Sequence, residues 1–137
     1  MKALILIVSL IILQAQKGCE DQHQEDAVKY EALEGKWEWV KTTGGFAGLT
    51  TTPASTGKKI YIEFTAEHIY KKYENQSLTS EETCRLIFKN SIYSEEETPQ
   101  LSFGDDKMNQ TIVLKGKELI LREECHDCYE HIYRKVD

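Results

Sequence analysis

No apolar run in this chain is long enough to carry a helix across a bilayer, which takes roughly 20 residues. The longest, Ala3 to Leu13, spans about eleven and follows a single basic residue, Lys2. That pattern reads as a secretory signal peptide over residues 1–18, which is set aside from the fold. Basic residues are also scarce: 17 Lys and Arg against 23 Asp and Glu leave a net charge of −6. Without a basic stripe the chain is a poor partner for nucleic acid or an anionic membrane surface. It has no repeat of roughly 20–50 residues, no low-complexity tract and no second hydrophobic cluster. One small domain with one modest core follows.

Catalytic signatures are missing too. There is no Gly-x-Ser-x-Gly elbow, no phosphate-binding Gly loop and no His-Glu-x-x-His. The carboxylate runs Glu95-Glu96-Glu97 and Asp105-Asp106 lack the spaced ligands of a calcium loop and read as solvated loop charge. No enzyme activity, cofactor or metal ion is expected.

Turning to what is present, Cys19 follows Gly18, and a small residue before a cysteine suits lipid attachment at a signal-peptide cut. Residues 19–32 then make a polar, acidic tether. The expectation is a cell-envelope lipoprotein of the outer membrane, held to the membrane through Cys19. A rival cut after Ala15 would instead release a soluble secreted or periplasmic protein. Either route leads out of the cytoplasm, where disulfides are permitted.

From Asp26 onward the chain reads as one helical turn, ended by Gly35, and then short strands. "KWEWVKTT" alternates with Trp37 and Trp39 on one face. "KKIYIEFT" does so with Ile60, Ile62 and Phe64, and "TCRLIFKN" with Cys84, Leu86 and Phe88. "NQTIVLKGKELILRE" folds at Lys115-Gly116-Lys117, setting Ile112 and Leu114 against Leu119 and Leu121. About eight strands with short connections and few prolines predict an up-and-down antiparallel barrel. The exception is Thr42 to Gly57, a long Gly- and Thr-rich loop whose Phe46 and Leu49 could cover a barrel mouth.

"LREECHDCYEHIYR" carries Cys125, Cys128, His126 and His131. A redox Cys-x-x-Cys belongs at a helix N-terminus, whereas these flanks are strands. Zinc would need a second half-site that is not there. The segment therefore reads as the last hairpin. If Cys19 is lipidated, three cysteines remain. The pair is then Cys125–Cys128, or Cys84 with one of them. With Cys19 unmodified, two bridges could form.

"LEGKWEWV" resembles the Gly-x-Trp signature that opens the first strand of lipocalins, here Gly35 and Trp37. The loop with Gly44-Gly45, Ala47-Gly48, Thr52-Pro53 and Ser55-Thr56-Gly57 is similar to that of the small lipocalin-like lipoproteins of Bacteroidetes. The resemblance runs over most of Leu33 to Arg134, with a domain at 33–137. It implies an eight-stranded barrel with a short helical plug, and Arg134 laid over Trp37 to seal one end. At Cys125 the family-like turn has Gly where this chain has Cys128. The usual Thr-Asp-Tyr motif is absent. The implied function is a monomeric, non-catalytic binder of a small hydrophobic ligand. Trp39, Phe46, Ile62, Phe64, Leu86, Phe88, Ile112, Leu114 and Leu121 would line the interior. The alternative is a filled barrel working through its surface tyrosines, Tyr61, Tyr70, Tyr73 and Tyr93, since tyrosine suits interfaces.

Overall fold

The computed structural model describes residues 28–137, so the expected signal peptide and Cys19 lie outside the described residues. One antiparallel sheet of ten strands carries most of the chain. The helical turn α1 (Tyr30–Leu33) leads into β1 (Gly35–Gly44) and β2 (Leu49–Thr51). A one-turn helix α2 (Pro53–Thr56) precedes β3 (Ile60–Phe64), β4 (Ile69–Glu74) and β5 (Ser77–Thr83). Then come β6 (Arg85–Ser91), β7 (Ser94–Ser102), β8 (Gln110–Lys115), β9 (Glu118–Glu123) and β10 (Tyr129–Lys135). The order is β5-β4-β3-β1-β10-β9-β8-β7-β6, with β2 hung on β1.

First and last strands pair, as an up-and-down barrel requires, but the closed eight-stranded barrel is not formed. The sheet ends at β5 and β6, which are consecutive in the chain, and no ladder joins them among the described residues. Cys84 sits between them, fully buried, with its N–H on the His68 carbonyl (2.8 Å). Anchored there, the two strands splay instead of folding back on each other. The sheet nevertheless coils, for its two ends meet across the interior. Tyr70 of β4 packs edge-on against Phe103, just past β7, with ring centroids 5.1 Å apart, and Lys107 pairs with Glu82 of β5.

The two strands beyond the expected eight have no period-2 apolar signal to give them away. β5 is exposed along most of its length, as an edge strand with little to bury would be. It is made by its turn: Asn75 and Gln76 both take positive φ (+49° and +72°), the backbone of a primed hairpin turn. β2 lies inside the Thr42–Gly57 loop, which is thereby a hairpin: Thr42 pairs with Thr51 and Gly44 with Leu49. The rest of that loop is α2, capped reciprocally by Thr52 and Ser55 and ended by Gly57 in the left-handed region. Glu95-Glu96-Glu97 is strand rather than loop, though exposed.

The packed body also begins before residue 33. Tyr30 and Leu33 are buried and Val28 packs against the same cluster, so the end of the expected tether belongs to the domain. Around this turn the sheet end is closed. The Trp37 indole, 1% exposed, donates to the Leu33 carbonyl at 2.7 Å. Lys135, not Arg134, covers it: the Lys135 ammonium lies 4.4 Å from the Trp37 ring and also donates to the Glu34 carbonyl. Neighbours on a strand face opposite ways, and β10 sets Lys135 opposite Trp37 but Arg134 opposite Glu38, exposed on the outer face. Gly35 (φ +105°) leaves room for that ammonium, which a Cβ would meet at 3.2 Å. Burial lowers the Lys135 pKa, with Glu34 opposing.

Candidate functional site

Near Trp37 the inner face is solid. Ile62, Phe64, Ile112 and Leu121, expected to touch ligand, are sealed in the core at 0–3% exposure. Leu114 packs against them, half-buried. Leu86 and Phe88 line a groove of about 600 Å³ with Tyr30 and His68, beside the β5–β6 opening. Phe46 does not cover the interior. It is 96% exposed at the tip of the β1–β2 turn, and Leu49 is 68% exposed beside it.

Away from Trp37 the inner face turns polar. A bulge at Val40 is responsible: Trp39 pairs with Tyr133 but Lys41 already pairs with Ile132. The extra residue resets the alternation, so Thr42 joins Trp39 on one face. The Trp39 indole N–H donates to the Thr42 hydroxyl (2.9 Å), which lies 2.8 Å from His131 Nδ1. His131 Nε2 is 3.3 Å from Glu123. One assignment satisfies all four groups: Thr42 donates to Nδ1, and Nε2–H donates to Glu123. Burial lowers the His131 pKa, helped by Lys72 and opposed by Glu123. Burial likewise raises the pKa of the Tyr133 hydroxyl.

Hydroxyl, imidazole and carboxylate in a row is also the order of a nucleophilic triad. Here the hydroxyl oxygen is secondary and already accepts an indole N–H, so the row serves better to fix Trp39 and His131 in place than to attack a carbonyl.

Two cavities open from this region. One, of about 240 Å³, is lined by Trp39, Thr42, Ile60, Lys72, His131 and Tyr133, among others. The other, of about 330 Å³, is lined by Tyr70, Lys72, Ser80, Glu82, Phe103 and Lys107, among others. Lys72 borders both. It points inward because β3 and β4 place it opposite Ile62, one inward position on from Tyr70. A wider groove, of about 600 Å³, runs over the outer face of β6 and β7. Its most buried polar group, the Gln100 amide, is already held by the Lys89 carbonyl and Asn109.

The opposite face of the last hairpin is tied down by Glu124. Its carboxylate accepts from the Ser91 hydroxyl (2.8 Å), the Ile92 N–H (2.9 Å) and the Thr111 hydroxyl. The Tyr93 hydroxyl adds a donor shared between the Glu123 and Cys125 carbonyls (each 2.9 Å). Glu124→Ala is expected to cost about 2 kcal/mol in chemical denaturation, because three donors lose one acceptor. A loss under about 0.5 kcal/mol, the range of an ordinary surface change, would show these bonds to be idle.

Cys125 and Cys128 form a disulfide, with Cα atoms 5.6 Å apart. Cys84 is a free buried thiol, 3.5 Å from the Tyr30 hydroxyl, and burial raises its pKa against that hydrogen bond. The Glu123 carboxylate lies near both bridge sulfurs, the three ligand atoms falling within 4.8 Å of one another. With the sulfurs bonded to each other, neither offers the thiolate a soft metal needs. His126 is exposed on the turn and His131 is engaged with Thr42 and Glu123. The bridge loop instead clamps the loop opposite, where Gly45 N–H donates to the Cys128 carbonyl at 3.1 Å.

Trp39 is the one expected ligand contact that lines the polar end. Thr42, Lys72 and Tyr133 escaped the sequence reading, Thr42 because no residue pattern marks the Val40 bulge, and His131 entered it only as a candidate zinc ligand. Of the expected surface tyrosines, Tyr70 faces inward, and Tyr93 is taken up by Arg122 and the hairpin carbonyls. No family model, no curated protein and no solved structure matches this chain.

Proposed function

We propose that this chain is a non-catalytic binding module that holds one small ligand with an apolar body in the polar-ended half of its coiled sheet. The observation that carries this reading is the division of the inner face. One half is packed solid around Trp37, while the other leaves one cavity beside Trp39 and Tyr133 and a second beside Tyr70 and Phe103. Ligand sites are concave, with apolar walls and a few placed polar groups, and they run to roughly 300–1,000 Å³. The cavity of about 240 Å³ falls just below that range and the one of about 330 Å³ at its small end, which suits a small ligand. The meander whose first strand pairs with its last supports a lipocalin-like ancestry, and Cys19 supplies a lipid anchor to the envelope in the same reading.

A fluorescent fatty acid should bind saturably, at one per chain, and be displaced by unlabelled fatty acids. Absence of saturable binding across acidic, neutral and basic apolar probes would overturn the reading. Mass spectrometry of the mature N-terminus tests the anchor separately: a diacylated Cys19 supports it and an unmodified Gln16 start excludes it.

A further inference from the structure

We infer that the ligand is an organic anion, an oxyanion head on a small apolar body, and that Lys72 is the residue that holds the head. This rests on the binding reading above. Three lysines border the two cavities. Lys58 is paired with Glu74 at 2.9 Å and Lys107 with Glu82. Lys72 has no carboxylate within 4 Å among the described residues, although its neighbour Lys71 on the outer face reaches Glu81 at 3.6 Å. Among the described residues the only carboxylate bordering either cavity is Glu82, which Lys107 and the Ser80 hydroxyl already occupy.

The chain as a whole is acidic, with 23 carboxylate residues to 17 basic ones. An inward cation left without one of those carboxylates is therefore against the run of the composition. Lys72 is half-buried as a residue, and an ammonium at a cavity wall gains a charge-assisted hydrogen bond when an anion reaches it. The other cations bordering these cavities among the described residues, Lys58 and Lys107, are held by Glu74 and Glu82. His131 is engaged with Thr42 and Glu123, and Glu123 accepts from the imidazole and from the Tyr129 N–H (3.1 Å). The apolar body then has one direction to run. The cavity of about 240 Å³ offers the Trp39 and Tyr133 rings and Ile60 within reach of the same ammonium. The neighbouring cavity offers mainly charged and hydroxyl groups beside Tyr70 and Phe103.

The test compares two dyes that share a ring system and differ in charge: anilinonaphthalene sulfonate and the neutral phenylnaphthylamine. The full chain should bind the sulfonate at least ~10-fold more tightly, about 1.4 kcal/mol. Lys72→Met should bring the two dyes to within about twofold by weakening the sulfonate alone. The same change at the outer-face neighbour, Lys71→Met, should leave the preference intact. Fatty acid should displace the sulfonate from the wild-type chain and not from Lys72→Met at equal concentration. If both dyes bind and Lys72→Met leaves their ratio unchanged, the anion assignment is wrong while the binding module stands. If neither dye binds the wild-type chain, both readings fall. Neutral-dye binding by Lys72→Met serves as its own control for a folded interior.

Discussion

Trp37→Ala should remove about 3–5 kcal/mol of folding free energy, the usual cost of deleting a large core aromatic. A domain of this size has roughly 5–15 kcal/mol in total, so the variant should melt far below the wild type or fail to fold at 37 °C. The size of the effect comes from three separate losses. The indole is 1% exposed, so its truncation leaves a cavity beside Leu33 and Ile62. The Leu33 carbonyl loses its only indole donor, at 2.7 Å, and with it α1 loses its tie to β1. Lys135 loses the ring it covers at 4.4 Å and is left with the Glu34 carbonyl alone. The neighbouring variants sort these contributions. Lys135→Met keeps the aliphatic stem and should cost about 1 kcal/mol, the cation–π share. Arg134→Ala should stay within about 0.5 kcal/mol, as exposed positions do. A larger loss at Arg134 than at Lys135 in urea denaturation would reverse the assignment of the sealing residue.

That one-residue correction shows where sequence reasoning is strong and where it gives out. Alternation placed Trp37, Ile62, Phe64, Leu86 and Ile112 on a common face, because half-buried strands leave a period-2 trace. The same alternation contains the answer at the end of β10. His131, Tyr133 and Lys135 share a face, and Tyr133 is the buried member, so Arg134 had to point outward. The family-like position of an arginine pulled the assignment one residue off. β5 left no trace because its inward positions, Ser80 and Glu82, are polar and give no apolar alternation, and its turn uses Asn-Gln where Asn-Gly is the usual mark. The opening between β5 and β6 depends on where Cys84 is anchored, which is a tertiary contact with no local signal. The polar half of the interior was hidden for a related reason. Lys72 sits in "YKKYE", where two lysines look alike, and only register decides that Lys71 meets Glu81 outside while Lys72 turns in.

Gly44→Ala should be nearly as damaging as the loss of Trp37, and by a different route. Gly44 has φ of +121°, a conformation L side chains rarely adopt. A Cβ there would stand 2.2 Å from the Cys128 carbonyl oxygen and 3.2 Å from the Tyr129 Cα. Both are backbone atoms, so no side chain can swing aside. Either β1 moves away from the 125–128 turn or the turn moves away from β1. The expected cost is about 3 kcal/mol, combining a strained φ with a broken Gly45–Cys128 hydrogen bond. Gly48→Ala is the control. Gly48 also has positive φ (+60°), but nothing lies within 4 Å of its Cβ position, so about 1 kcal/mol is expected from conformation alone. The disulfide makes the contrast sharper. The Cys125–Cys128 bridge holds the carbonyl that Gly44 must clear, and the same strand pair carries Thr42 against His131 at the cavity wall. Reducing the bridge lets the turn give way, so the Gly44→Ala penalty should shrink in the reduced protein while the Gly48→Ala penalty does not change. That is a double-mutant cycle with reduction as the second change, and a coupling of about 1 kcal/mol or more is expected for groups in direct contact. Equal Gly44→Ala penalties with and without reductant would mean that strand pairing alone, and not the bridge, fixes the wall of the site.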